Sequence, residues 1–269
     1  MKTNDQLKDE VREKYREIVK ISSFSGCCCG GTSGCQTHET TTFTMKDEGY
    51  EHQPGYAKEA DLGLGCGIPT EFARINEGDT VVDLGSGAGN DAFIARSLTG
   101  KHGEVIGVDF TKEMIIQARK NALKLNYKNV HFIHGDIEAI PIEVDTADVV
   151  LSNCVLNLVP DKQKAFSEIY RILKPGGHFC VSDIVTQGTM PPELQESAVL
   201  YAGCVAGALP QDQYLKIIEE NGFREVTVHK SKRIDIPEAT LSRYLDAVAL
   251  KQYHESLNGI FSITVTGKK

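Results

Sequence analysis

The chain has 269 residues, 41% of them apolar, and a net charge of −8. That length and apolar content suit one large α/β domain, or a core with an appendage, and argue against global disorder. The acidic balance and the lack of any long basic run argue against nucleic acid or an anionic membrane surface as partner.

Leu7, Val11, Tyr15 and Ile18 recur at helical spacing, which predicts an amphipathic helix over residues 4–20. This start is densely charged and lacks the apolar run of a secretory signal. No uninterrupted apolar stretch reaches the roughly 18 residues that suggest a membrane span. The expected location is the cytoplasm, where the eight cysteines are expected to be reduced, metal-binding or catalytic rather than paired in disulfides. Residues 22–42 are rich in Gly, Ser, Thr and Cys and lack periodicity, so they read as a loop. This tract carries Cys27, Cys28, Cys29 and Cys35, without the paired C-x-x-C spacing of a zinc site.

From Thr80 the pattern becomes short apolar strands separated by helices. TVVDL, EVIGVD, VHFIH, ADVVLS and GHFCVSD are the strands. Ile115, Ala118, Ala122 and Leu125 mark one helix face, and Ala165, Ile169 and Ile172 another. The latter helix has Asp161 as its N-cap and stops at Lys174-Pro175-Gly176-Gly177. Alternating strands and helices predict βαβ units and a parallel sheet covered on both faces. Helices are expected over 193–202 and 211–221, and REVTVH and IFSITVT are placed to complete one sheet edge. Cys180, inside a strand, is expected to be a packing residue. His131 and His134 flank a strand and are expected to pack or face solvent.

The segment Val81 to Asn90, VVDLGSGAGN, joins the first strand to a helix. Gly85, Gly87 and Gly89 permit a tight turn and close backbone approach to a ligand, with helix N–H groups aimed at the cleft. Asp109 ends the second strand, 20 residues after Gly89, where doubly wound folds place the carboxylate that binds ribose hydroxyls. The spacing is G-x-G-x-G rather than the dinucleotide fingerprint, and Asp83 lies two residues before the loop. A carboxylate there repels a pyrophosphate but can orient an amino-acid ligand that carries a cation. Asp136, after the third strand, is placed to accept from an adenine amino group. Ile137 beside it and Asn153 join the candidate cofactor-binding residues. Met114 either lines the adenine pocket or belongs to the helix core. Over residues 70–185 this set resembles the class I S-adenosylmethionine-dependent methyltransferases. The resemblance implies a Rossmann-like α/β fold with a seven-stranded sheet whose last strand is antiparallel. It also implies S-adenosylmethionine (AdoMet) bound over the carboxyl ends of the strands.

Three cysteines stand among small residues or at a strand end: Cys66 in Gly63-Leu64-Gly65-Cys66-Gly67, Cys154 directly after the fourth strand, and Cys204 in Gly203-Cys204-Val205-Ala206-Gly207. Thiolates are soft ligands that prefer soft metals and metalloids. Three of them converging on the cleft would hold trivalent arsenic in a pyramid with its lone pair toward the AdoMet methyl. Cys66 has the most flexible of the three settings, in a segment placed to fold over the site. Leu64-Gly65-Cys66-Gly67, Ser152 to Pro160 (SNCVLNLVP) and Tyr201-Ala202-Gly203-Cys204 are similar to the three cysteine motifs of the arsenite methyltransferases. This resemblance covers residues 25–235. It implies arsenic bound by Cys154 and Cys204, with Cys66 joining them for arsenite. It also implies a thiol–disulfide relay between Cys66 and an N-terminal cysteine, with Cys29 and Cys35 as candidates beside Cys27 and Cys28. The C-terminal extension of eukaryotic members is expected to be largely absent.

The expected organisation is an N-terminal helix and Cys-rich segment over 1–60, and an AdoMet-binding core over 61–188. Residues 189–269 are a small α+β part that completes the sheet and the arsenic site. The expected substrate is arsenite or its thiol conjugates, with thioredoxin or glutathione as reductant. Two alternatives remain open: methylation of a small organic acceptor of quinone or sterol type with structural cysteines, or a non-catalytic metalloid-binding protein.

Overall fold

The computed structural model describes residues 4–24, 49–188, 208–235, 238–242, 245–256 and 258–269. The expected helix over 193–202 lies outside the described residues, as do Cys27, Cys28, Cys29, Cys35 and Cys204. Seven strands form one sheet: β1 (Thr80–Leu84), β2 (Glu104–Asp109), β3 (Val130–His134), β4 (Ala147–Asn153), β5 (Leu173–Gln187), β6 (Arg224–Arg233) and β7 (Gly259–Lys268). Their order is β3-β2-β1-β4-β5-β7-β6. β7 is inserted between β5 and β6 and runs antiparallel to both. All seven strands fall where the sequence predicts them. β5 begins earlier, at Leu173, because Leu173 already pairs with Ala147 of β4. β6 runs on past His229 to Arg233 because β7 continues to offer it partners as far as Phe261.

Alternation along the strands builds two cores, one on each face of the sheet. Val81, Val105, Val149, Leu151 and Cys180 pack under α2 (Asn90–Thr99) and α3 (Lys112–Lys124). Val82, Leu84, Val108, Val150 and Val181 pack under α4 (Lys162–Ile172) and α5 (Gln211–Glu220). Phe166, Phe179, Tyr214 and Phe223 meet edge-to-face in the second core. The Asp161 carboxylate accepts from the Lys164 N–H at 2.9 Å and caps α4, as its sequence position predicts. Each core face is therefore set by the register of β1, β4 and β5. That register also fixes which residues emerge at the carboxyl ends of the strands.

Three further helices flank this layer: α1 (Asn4–Phe24), α6 (Glu238–Leu241) and α7 (Ala247–Glu255). α1 docks across the ends of β2 and β3. Arg16 pairs with Glu113 at 2.9 Å, Arg12 sits over the Phe110 ring, and Lys8 pairs with Asp136 at 2.6 Å and with Glu138. Leu241, Leu245 and Tyr253, from the α6–α7 region, join Ile184 and Ile260 in a third apolar cluster that contains Cys66 and Cys154. Among the described residues, no helix is long and apolar enough to cross a membrane.

Candidate functional site

The loop between β1 and α2 turns back on the sheet, and the N–H groups of Gly85 and Ser86 both donate to the Val108 carbonyl. Gly85 has φ 71°, and a Cβ there would lie 2.3 Å from a Val155 methyl, so only glycine lets this loop meet the loop after β4. A cleft of about 860 Å³, open mouth included, lies above that contact. It sits outside the carboxyl ends of the parallel strands, the usual ligand position in open α/β sheets. Gly85, Gly87, Asp109, Met114, Asn153 and Cys154 all line it. Asp136 and Ile137 line an adjoining recess together with Lys8 and Val11 of α1. Met114 is both cleft wall and buried helix core. Gly89 is not on the wall: it precedes α2 with φ 102°, and the Phe93 and Phe132 rings fill the space a side chain would need. Its place in the fold is helix–sheet packing.

The carboxylates divide by environment. Asp109 accepts from Gly87 N–H at 3.0 Å and Thr111 N–H at 2.8 Å, so it shapes the glycine loop as well as facing the cleft. Burial raises its pKa, although these hydrogen bonds oppose the shift. Asp83 lies behind the wall, buried, with Oδ2 lacking a hydrogen-bond partner among the described residues. Burial, and then the charges of Asp91 and Asp109, push its pKa well up. Asp91, in the first turn of α2, is on the wall instead. It accepts from the Tyr50 hydroxyl and, at 3.0 Å, from the Asn153 amide. Burial pushes the Asp136 carboxyl up, but the Lys8 ammonium and the Glu138 N–H outweigh it and hold the group below its ordinary value.

Cys154 is 2% exposed and has φ 61°, a left-handed backbone that non-glycine residues rarely adopt. Its N–H donates to the Ser182 carbonyl at 2.7 Å. Cys66 is 5% exposed and does not sit in a loose setting despite its glycine neighbours. Its N–H donates to Asn153 Oδ1 at 3.0 Å, and its carbonyl accepts from Ser262 Oγ at 2.5 Å. The expectation of a flexible Cys66 is thus corrected: the glycines let the segment lie flush against β4, β5 and β7. A Cβ on Gly65 or Gly67 would collide with Asn153 or Ser182. Asn153 also donates to Gly67 O at 2.8 Å, so one amide ties Asp91 on the cleft wall to the backbone on both sides of Cys66.

The other candidates have structural places. Cys180 is fully buried, its thiol donates to Pro69 O at 3.1 Å, and burial pushes its pKa far up, as suits a packing residue. His131 is exposed beside Glu104, and His134 Nε2 lies 2.9 Å from Phe110 O. No group of three or more His, Cys, Asp or Glu that could hold a metal ion occurs among the described residues, which do not include Cys204. Sequence reasoning missed Tyr15, Tyr50 and Asp61 on the cleft wall, because each arrives from a distant segment. It also missed Asp91. That acid directly follows the glycine loop, but an acid there reads as an ordinary first-turn helix residue.

A methyltransferase-domain family model matches residues 75–222. An arsenite methyltransferase of Halobacterium salinarum is 42% identical over 234 residues, which are 83% of this chain and 60% of that protein. The human arsenite methyltransferase is 36% identical over 251 residues, 89% of this chain and 64% of that one. The chain therefore spans about three fifths of the length of these curated relatives. An arsenic (III) S-adenosylmethionine methyltransferase from Chlamydomonas reinhardtii, solved by X-ray crystallography, superposes with a TM-score of 0.63 at 35% identity. That alignment covers 76% of this chain and 67% of the solved one.

Proposed function

The chain belongs to the arsenite methyltransferases of the class I AdoMet-dependent superfamily, and on that footing we propose that it transfers methyl groups from AdoMet to trivalent arsenic held on cysteine thiolates. The observation that carries the proposal is the Asn153–Cys154 pair at the end of β4. Cys154 lies on the wall of the cleft at the carboxyl ends of the strands, and its neighbour grips the second thiol residue, Cys66.

The cleft fits AdoMet by the chemistry of its donors. Asp109 keeps acceptor capacity for ribose hydroxyls beyond its two backbone bonds. Ser86 also lines the cleft, while its Oγ is buried on the β2 side of the loop near Gly107. Asp91 puts negative charge where an amino-acid ammonium would be held. AdoMet supplies a methyl group on positively charged sulfur, which a lone pair can take.

Residues of the chain do the rest. Cys66, Cys154 and Cys204 would occupy the three arsenic valences and leave the lone pair free. No general base is then required, because the nucleophile has no proton to lose. The protein contributes positioning and a dry site, for which the apolar surroundings of Cys66 and Cys154 are suited. The reading includes a cytoplasmic setting and a thiol reductant such as thioredoxin or glutathione. Ligation requires thiols rather than disulfides, and a reductant restores them. The test is incubation with AdoMet, arsenite and a thiol, followed by chromatography with arsenic detection. Methylarsenicals from wild type and none from Cys154→Ser are expected; no methylated arsenic from either refutes the assignment.

A further inference from the structure

Asp183 is fully buried in the middle of β5, away from the nucleotide cleft, and the chemistry above makes no use of it. Its oxygens are surrounded by donors. Oδ1 accepts from Ile184 N–H at 2.9 Å and Oδ2 from the Tyr214 hydroxyl of α5 at 3.1 Å. The backbone N–H of Asn157, in the turn after Cys154, also faces this carboxylate and favours its charged form. Asn157 in turn donates its side-chain amide to Ile184 O at 2.5 Å. Cys154 N–H bonds Ser182 O at 2.7 Å. Three consecutive residues of β5 therefore face donors of the loop that carries the thiol, Ser182 and Ile184 through their carbonyls and Asp183 through its carboxylate. From the other side, Lys162 Nζ lies 3.5 Å from the carbonyls of Asn157 and Val159.

That loop needs holding. Cys154 occupies a left-handed conformation that costs a non-glycine residue energy and persists only where the surroundings over-determine it. The Asp183 bonds supply that restraint one turn downstream. We propose that Asp183 is a positioning residue: its carboxylate clamps the loop from Cys154 to Val159 from below and so aims the Cys154 thiol into the cleft. The role rests on reading Cys154 as an arsenic ligand.

The Ile184 and Asn157 N–H groups and the Tyr214 hydroxyl all point donors at the ionised carboxylate, and protonation of Asp183 gives up part of that set and leaves the Tyr214 hydroxyl as its acceptor. The groups facing it are Tyr214 from α5, Lys162 from α4 and the Asn157 N–H from the loop. Cys66 and Cys154 act on Tyr214 from across, and Glu138 faces Lys162. Burial pushes the Asp183 pKa up to about 7, so the clamp is expected to loosen on mild acidification.

The experiment is site-resolved alkylation with iodoacetamide, read by peptide mass spectrometry, on the full chain and on Asp183→Asn. At pH 8 Cys154 of the variant should label at least fivefold faster than in wild type. At pH 6, on the acid side of the raised Asp183 pKa, the ratio should fall toward one. Cys180, buried in the other core, should label at the wild-type rate throughout, and AdoMet affinity should stay within twofold. Arsenite turnover should show a raised KM. If Asp183→Asn does not fold, Tyr214→Phe removes a single bond to the same oxygen and should speed Cys154 labelling at least twofold with Cys180 unchanged. Equal Cys154 labelling in variant and wild type, or a ratio that does not change with pH, overturns the proposal. Labelling needs no turnover, so a wild-type chain that methylates no arsenite would sink the functional reading and leave this comparison to decide the clamp.

Discussion

Replacing Asn153 with alanine tests the connection between cleft and thiols most directly. The amide makes three bonds: it accepts from Cys66 N–H at 3.0 Å and donates to Gly67 O at 2.8 Å and to Asp91 at 3.0 Å. The two neutral bonds are worth about 1 kcal/mol each and the bond to a carboxylate about 2 kcal/mol, together about 4 kcal/mol. Asn153 is only half-buried and lines an open cleft, so water entering the vacated space should recover about half. The expected net loss is about 2 kcal/mol, or roughly 4–8 °C in Tm for a chain of this length. Gly65→Ala attacks the same group from the other side, since its Cβ would lie 2.7 Å from Asn153 Nδ2. Displacing the amide should cost about 1–2 kcal/mol. In the Asn153→Ala background there is no amide to displace, so Gly65→Ala should then be nearly neutral. Thermal and urea denaturation of the four proteins gives the cycle directly, with an expected coupling of about 1–2 kcal/mol. Additive losses, within about 0.5 kcal/mol, would show that Gly65 and Asn153 act independently and refute the reasoning.

Other outcomes are expected from the same geometry. Asp109→Ala should weaken AdoMet binding by about 1–3 kcal/mol in calorimetric titration, because it removes a cleft-facing acceptor and releases Gly87 N–H; unchanged affinity in a folded variant removes Asp109 from the ribose site. Cys66→Ser should lose methylation of arsenite but keep that of trivalent monomethylarsenic, which has only two exchangeable positions, whereas Cys154→Ser and Cys204→Ser should lose both. Chromatography of each variant's products decides it, and failure of Cys66→Ser on both substrates while it binds AdoMet normally contradicts the valence argument. For pH, Asp183 in the folded chain has its pKa raised from 3.8 to about 7. The folded state then binds more protons than the unfolded one in that window, so this group's contribution to stability falls as pH rises through it and levels off above. Thermal melts from pH 4 to 8 should show a shallower decline in Asp183→Asn than in wild type, and equal slopes would contradict the raised pKa.

The fold was legible because its signals are local. Short apolar runs mark the strands, Asp161 caps α4 with its own side chain, and Gly85 and Gly89, which answer steric demands, lie within five residues of the first βα turn. The cleft itself was legible for the same reason: Asp109 and the glycine loop are bound to each other and lie on adjacent strand ends. What sequence concealed is carried by long-range contacts. Nothing near Tyr50 announces that its hydroxyl reaches Asp91, and nothing near Lys8 announces Asp136. The glycines around Cys66 read as freedom, but in the folded chain they serve close packing against Asn153 and Ser182. Small side chains permit either outcome, and only the facing residues decide which. Asp83 shows the converse, since its motif position suggests contact with ligand, yet the strand pleat turns its carboxylate behind the wall.

The inserted position of β7 bears on the order in which the site is made during synthesis. β5 precedes β6 and β7 in the chain, so the edge it offers to β7 has no partner strand until β7 has been translated. β6 likewise appears before the strand it pairs with. Only when residues 259–268 arrive do both edges close, and until then the nascent chain carries exposed strand edges of the kind that invite misassociation. The same event finishes the thiol chamber, because Ser262 bonds the Cys66 carbonyl and Ile260 packs into the cluster with Cys66 and Cys154. The Cys66–Cys154 arrangement thus gains its Ser262 and Ile260 contacts only once β7 has joined the sheet.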